Sequence, residues 1–183
     1  EKVTDTNHEK MAEMENTCDQ VEGVGIDVNL NKKAVQTTEA NYVKYAKEDF
    51  YNGTNFHRVI NSFMFQSGGF DRNLHQKSTH APIKLEDKNG LKNTVGTIAM
   101  ARTNKPDSAT SQFFINLKDN DFLNGTSTKD GYAVFGVVVT GMDVVRKNGR
   151  APKGSNGCKE DVPVRTVIIA HVQHLKSDFR KKQ

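Results

Sequence analysis

A mainly β fold, an antiparallel barrel or sandwich with two helices, is predicted by three observations on this 183-residue chain. Several short runs alternate apolar and polar residues, the pattern of half-buried strands. One segment instead repeats apolar residues at three- and four-residue steps, as amphipathic helices do, and a second carries helix start and stop signals. Strands and helices do not alternate along the chain, which argues against a parallel α/β sheet.

The clearest strand is Val24, Ile26, Val28 and Leu30, with Gly25, Asp27 and Asn29 between. Between Thr37 and Phe50, Tyr42, Tyr45, Ala46 and Phe50 fall on one helical face, opposite Lys44, Lys47 and Glu48. Asn52-Gly53 marks a turn, and two short strands follow at Phe56 to Ile60 and Phe63 to Gln66, closed by Gly68-Gly69. Residues 71–95 are polar and read as a long surface loop, the kind that often carries function. Strand patterns resume at Gly96 to Ala101, Gln112 to Asn116, Ala133 to Val139 and Val164 to Leu175. Thr140 and Asp143 form a capping-box pattern before Val144 and Val145, with Asn148-Gly149 as the stop, so a second short helix is expected there.

Composition narrows the classes. With 35% hydrophobic and 26% charged residues the chain can build a core and is too polar for a membrane protein. No apolar run reaches the roughly 18–20 residues of a membrane-spanning helix. The net charge of +4 is mild, and basic residues gather in Lys176, Arg180, Lys181 and Lys182, so nucleic acid is not expected as a partner. Cys18 and Cys158 are too few for a disulfide scaffold and leave their pairing open. The chain opens on Glu1 without a charged-then-apolar leader, and a periplasmic or secreted location is expected, with the cytoplasm as the alternative. Residues 1–16 read as a polar extension with at most a helical turn, and 176–183 as a basic tail.

Generic motifs carry little chemistry here. Gly23-Val-Gly25 precedes a strand where a dinucleotide fingerprint would follow one. His171 and His174, three apart in a strand, point to opposite faces and are not expected to share a metal. Ser67 lacks the flanking glycine pattern of a nucleophile elbow.

Five segments together say more: Asn55-Phe-His-Arg-Val-Ile60, Phe63-Met-Phe-Gln-Ser-Gly-Gly-Phe70, Gly96-Thr-Ile-Ala-Met-Ala-Arg102, Ser108-Ala-Thr-Ser-Gln-Phe-Phe-Ile-Asn116 and Gly131-Tyr-Ala-Val-Phe-Gly136. In this order the chain resembles the cyclophilins, peptidyl-prolyl cis-trans isomerases, and most closely the bacterial type. The resemblance spans roughly residues 20–175 and assigns 17–175 to one isomerase domain. It implies a closed eight-stranded antiparallel β-barrel capped by two α-helices, with a peptide groove on its outside. Arg58 is then the catalytic guanidinium and Gln66 a hydrogen-bonding partner of the substrate. Phe63, Met64, Phe114, Phe122 and Leu123 line a proline pocket; Ala101, Arg102 and Gln112 lie along the preceding residues, and Tyr132 stands where many eukaryotic relatives have histidine. No cofactor or metal is implied. Partners are proline-containing peptides and unfolded proteins, and a monomer is expected.

These residue types suit the reaction. Rotation about an X-Pro bond breaks amide resonance, a barrier of roughly 18–20 kcal/mol, and needs no covalent step. A fixed arginine that donates toward the twisted imide favours it over either planar isomer. Departures from the family pattern fall at Asn61-Ser62, usually Pro-Gly, and at Ser67, usually glycine; lowered activity, or a Pro-peptide-binding module with low turnover, is the alternative they raise. Val35-Gln36 replaces the usual Ala-Pro before the first helix and Glu39 takes an apolar position, so a displaced or less stable helix is expected. The strand near Thr17 to Val21 is poorly matched to the family pattern. Phe122 stands where eukaryotic relatives bind cyclosporin with tryptophan, and a phenyl ring offers no N–H. Cyclosporin is therefore expected to bind weakly, and nanomolar affinity in a competition assay would contradict this.

Overall fold

The computed structural model describes residues 7–11, 14–16, 25–157 and 159–175. Twelve short strands and two helices make it mainly β, as expected. In chain order the strands are β1 Asn7–Met11, β2 Met14–Asn16, β3 Ile26–Leu30, β4 Arg58–Ile60, β5 Met64–Ser67, β6 Thr97–Met100, β7 Phe113–Asn116, β8 Val134–Thr140, β9 Lys153–Asn156, β10 Lys159–Pro163, β11 Val167–Ile169 and β12 Val172–Leu175. The helices are α1 Gln36–Lys47 and α2 Met142–Gly149. Eight strands form one antiparallel sheet in the order β12-β1-β3-β8-β6-β7-β5-β4, while β9 pairs β10 and β2 pairs β11. The end strands β12 and β4 share no ladder among the described residues.

Alternation along the strands sorts side chains onto two faces, and here both faces are apolar. Phe65, Ile98, Met100, Phe113, Ile115 and Phe135 join α1's Tyr42, Tyr45 and Ala46 in the main core. Their chain neighbours Met64, Ala99, Phe114 and Val134 form a separate cluster with Leu123. In the main core Tyr42 meets Phe113 edge-on, at 5.5 Å between ring centres, and lies 5.0 Å from Phe135.

The helices are secured differently from the sequence expectation. α1 begins at Gln36, and Val35 gives no side-chain cap. Instead Glu86, from the long loop, accepts both the Thr38 N–H and the Thr38 hydroxyl at 2.6 Å, which satisfies a first-turn donor from 48 residues away. Glu39 is buried in its first turn, at 5% exposure. Thr140 does not cap α2: it ends β8, and its hydroxyl bonds the Asp27 carboxylate. The N-cap is Gly141, at φ 90°, where a Cβ would sit 2.5 Å from the Gly25 carbonyl oxygen, so glycine is required.

Residues expected to form a polar extension carry β1 and β2, with β1 paired on both sides by β3 and β12. Backbone pairing needs no apolar period, which is why composition missed it. The segment read as one last strand is two, β11 and β12, and the β9–β10 hairpin was not foreseen. The strand near Thr17 to Val21, Val24, both cysteines and the tail 176–183 lie outside the described residues.

His57 lies just before β4, 7% exposed, with its ring 4.5 Å from that of Phe70; Lys159 of β10 sits 3.7 Å over the other ring. Burial pushes the His57 pKa down from 6.5 to about 4, aided by the charges of Lys159 and Arg58 and opposed by a hydrogen bond to the Asn55 backbone. The unfolded chain thus binds a proton that the folded chain refuses between about pH 6.5 and 4. Stability from this group is present in full above that window and falls with pH through it, by up to about 3 kcal/mol. Urea unfolding between pH 7 and 4 is expected to show that slope, largely abolished in His57→Gln; equal slopes would assign it to other groups.

Candidate functional site

One cross-strand row builds the site. Register sets Arg58 opposite Gln66, Gln66 opposite Phe114, Phe114 opposite Ala99, and Ala99 opposite Val134, across β4, β5, β7, β6 and β8. The row starts with a guanidinium and an amide and continues into apolar groups. It lies on the second face, away from the main core.

Around this row Arg58, Phe63, Met64, Gln66, Ala101, Arg102, Phe114, Leu123 and Tyr132 enclose a cavity of about 110 Å³. Nine of the eleven residues singled out in the sequence thus converge on one hollow. Gln112 is not a wall; its side-chain oxygen accepts from Gln66 Nε2 at 2.9 Å and so orients that amide. Gly69 makes room for it, since a Cβ there would meet Gln112 Nε2 at 2.5 Å. Phe122 is also outside the walls, 59% exposed, with its ring stacked on Phe63 at 5.6 Å.

The two arginines differ in their commitments. Arg102 donates to the carbonyl oxygens of Gly131, Thr103 and Asp130, at 2.9, 2.8 and 3.3 Å, and lies 4.6 Å over the Tyr132 ring. It clamps that tyrosine. Arg58 is exposed, and its guanidinium has no hydrogen bond or ion pair among the described residues. An uncommitted fork of donors beside an apolar hollow is the site's chemical asset.

Behind the walls lies a network that the sequence reading missed. Asn93, Asn116 and Asn120 are buried, at 0, 0 and 2% exposure. Asn116 Nδ2 donates to Asn93 Oδ1 and Thr97 Oγ1; Asn120 Nδ2 donates to Asn116 Oδ1 and to the Phe63 carbonyl; Asn93 Nδ2 reaches the carbonyls of Leu123 and Tyr132. Three wall residues are therefore tied by backbone to one buried amide cluster. Asn116 at the end of an apolar strand was the available signal, since a buried amide there needs partners.

The altered positions divide. Ser67 is fully buried, and its hydroxyl donates to the Asn55 carbonyl at 2.9 Å, on the inner side of β5. Ser62 sits in the β4–β5 turn at φ 57°, a left-handed conformation that glycine adopts at less cost. Wider hollows of about 370 and 560 Å³ lie by the 85–89 loop and beside α1. In the first, Glu86, Asp87 and Asp107 already accept bonds from Thr38, Gly131 and Leu85. No group of three or more His, Cys, Asp or Glu suited to a metal occurs among the described residues.

Residues 15–174 match the family described as cyclophilin type peptidyl-prolyl cis-trans isomerase/CLD. A peptidyl-prolyl cis-trans isomerase of Acinetobacter baylyi is 53% identical over 148 residues, 81% of this chain and 79% of that one. Peptidyl-prolyl cis-trans isomerase B of Escherichia coli is 56% identical over 146 residues, 78% of this chain and 88% of its own. The fold is similar to a cyclophilin type isomerase of Cryptosporidium parvum solved in the presence of the dipeptide Ala-Pro, with TM-score 0.73 and 21% identity over 92% of this chain and 98% of that one.

Asn116→Ala takes the donor from buried Asn93 Oδ1 and Thr97 Oγ1 and one of two acceptors from Asn120 Nδ2, and is expected to cost about 3 kcal/mol of stability. Hydrogen exchange at the Leu123 and Tyr132 amides should quicken beyond that at the α1 amides; uniform acceleration would show that the network does not hold the walls.

Proposed function

Since the chain belongs to the cyclophilin-type peptidyl-prolyl cis-trans isomerases, we propose that it turns X-Pro bonds in the groove between Arg58 and Tyr132. The protein is an isomerase that acts on X-Pro peptide bonds, and assistance to folding is part of the proposal. Its assignment to this groove rests on the uncommitted Arg58 guanidinium beside the Phe63, Met64, Phe114 and Leu123 hollow.

The proline ring enters the apolar part of the hollow, among Phe63, Met64, Phe114 and Leu123, which holds it by contact. Arg58 donates toward the prolyl nitrogen as it pyramidalises and toward the neighbouring carbonyl. Gln66, oriented by Gln112, bonds the substrate backbone next to the ring. Ala101 leaves space for the residues before proline, while Arg102 keeps Tyr132 upright against Phe114, ring centres 5.7 Å apart. Charge-stabilised rotation requires no cofactor in this reading.

The barrel is proposed to close through β11. Phe56 N–H donates to Val167 O and Ile169 N–H to Thr54 O, both at 2.9 Å, so β11 meets the chain leading into β4, while its other edge pairs β2. A monomer is proposed with this closure, because it would cover the β4 edge of the eight-stranded sheet. Weak cyclosporin binding is proposed from Phe122, whose exposed ring supplies area without a donor.

Isomerisation of a short X-Pro peptide, followed at low temperature, tests the assignment. Arg58→Ala is expected to lower kcat/KM about a hundredfold or more, the size of losing one aimed donor. Unchanged turnover in that variant would remove Arg58 from the mechanism.

A further inference from the structure

The β4–β5 turn separates the groove from a second cavity. Phe63 lines the groove, while Asn61 and Ser62 line the neighbouring hollow of about 240 Å³ together with Leu117, Arg146 and Arg150. The two share a hydrogen-bonded wall, since Leu117 N–H donates to the Phe63 carbonyl at 3.0 Å and Phe63 N–H to the Ile60 carbonyl at 3.1 Å.

The cations of this hollow have no ion-pair partner among the described residues. Arg146 and Arg150 are one helical turn apart at the end of α2 and so lie on one face. Both are exposed, and neither guanidinium makes a hydrogen bond or ion pair among the described residues, Asp143 one turn earlier included. Their sign suits the partial negative charge of a helix C-terminus. That end is already served, however, by Lys153 Nζ donating to the Gly149 carbonyl. Helix capping thus does not account for two arginines that line one cavity together with Asn61 and Ser62.

We propose that this cleft is a phosphate-binding subsite beside the proline groove. Two guanidinium forks match the oxygens of a phosphate dianion and balance its charge. Asn61 and Ser62 add neutral donors from the turn, and Leu117 offers apolar contact to the carbon that carries the phosphate. The ligand is inorganic phosphate or a phosphorylated side chain near the proline of a client. The subsite itself does not depend on the groove reading; its use in choosing clients does.

Two arms test it, with Arg146→Gln/Arg150→Gln as the variant. In the first, inorganic phosphate is titrated into the intact chain and followed by amide NMR. Saturable shifts are expected at Asn61, Ser62, Leu117 and Arg150, and are lost in the variant. In the second, X-Pro peptides with serine or phosphoserine near the proline are compared as substrates. A phosphorylated client is expected to give about fivefold higher kcat/KM, as two exposed charge pairs allow. The variant should lose that preference and keep its rate on the serine peptide, which also reports that it is folded. Shifts without a peptide preference would identify free phosphate as the ligand of the same subsite. Absence of saturable shifts, or shifts or a preference that persist in the variant, would overturn the proposal. No turnover of the serine peptide by the unaltered chain would instead count against the groove reading, and the titration would still report on the cleft.

Discussion

Antiparallel pairing along the run β4-β5-β7-β6-β8 obliges neighbouring side chains to face opposite ways, and both faces of this ladder are covered. Phe65 and Phe113 therefore go inward while Met64, Gln66 and Phe114 go outward, at no cost in chain length. A one-residue slip would exchange the two sets, which places Gln66 in the core and Phe65 in the groove. The aromatic packing of Tyr42 on Phe113 and Phe135 opposes such a slip. Core packing and site geometry are thus one constraint read from two sides.

The loops around the groove depend on a second device. Strands deliver Arg58, Gln66 and Phe114, but Phe63, Leu123 and Tyr132 lie outside the strands, Leu123 at the end of the short 3-10 helix Asp121–Leu123. Buried amides hold them in place, since each of their unmet donors or acceptors would cost about 1–3 kcal/mol. Asn93, Asn116 and Asn120 satisfy one another and the carbonyls of those wall residues. Asp87 adds the Gly131 N–H at 2.7 Å, just before Tyr132. The long polar loop 71–95 is thereby part of the scaffold: its Glu86 holds the start of α1, and its Asp87 and Asn93 hold the groove wall.

A proline isomerase has little to do beyond gripping a ring and stabilising a twisted amide. The contrast between Arg102 and Arg58 follows from that division. Arg102 is bonded to three backbone carbonyls and braces an aromatic wall; Arg58 makes no hydrogen bond or ion pair among the described residues. Similar residues with opposite hydrogen-bond commitments have different capacities, and neither composition nor motif distinguishes them.

Local pattern was enough for the elements whose signal is local. The alternation of Ile26, Val28 and Leu30 is read from two-residue periodicity, and Tyr42, Tyr45 and Ala46 from helical spacing; both appear where expected. Five ordered segments pointed to the family and to the residues that converge on the groove. Tertiary structure decided what depends on partners far along the chain: β1 pairing inside residues that look like a polar extension, Glu86 serving α1, Gly141 rather than Thr140 opening α2, and the amide network behind the walls. The physical reason is that a hydrogen bond is satisfied by geometry and not by sequence distance. A residue's period is visible in one dimension, whereas the identity of its partner exists only once the chain has folded.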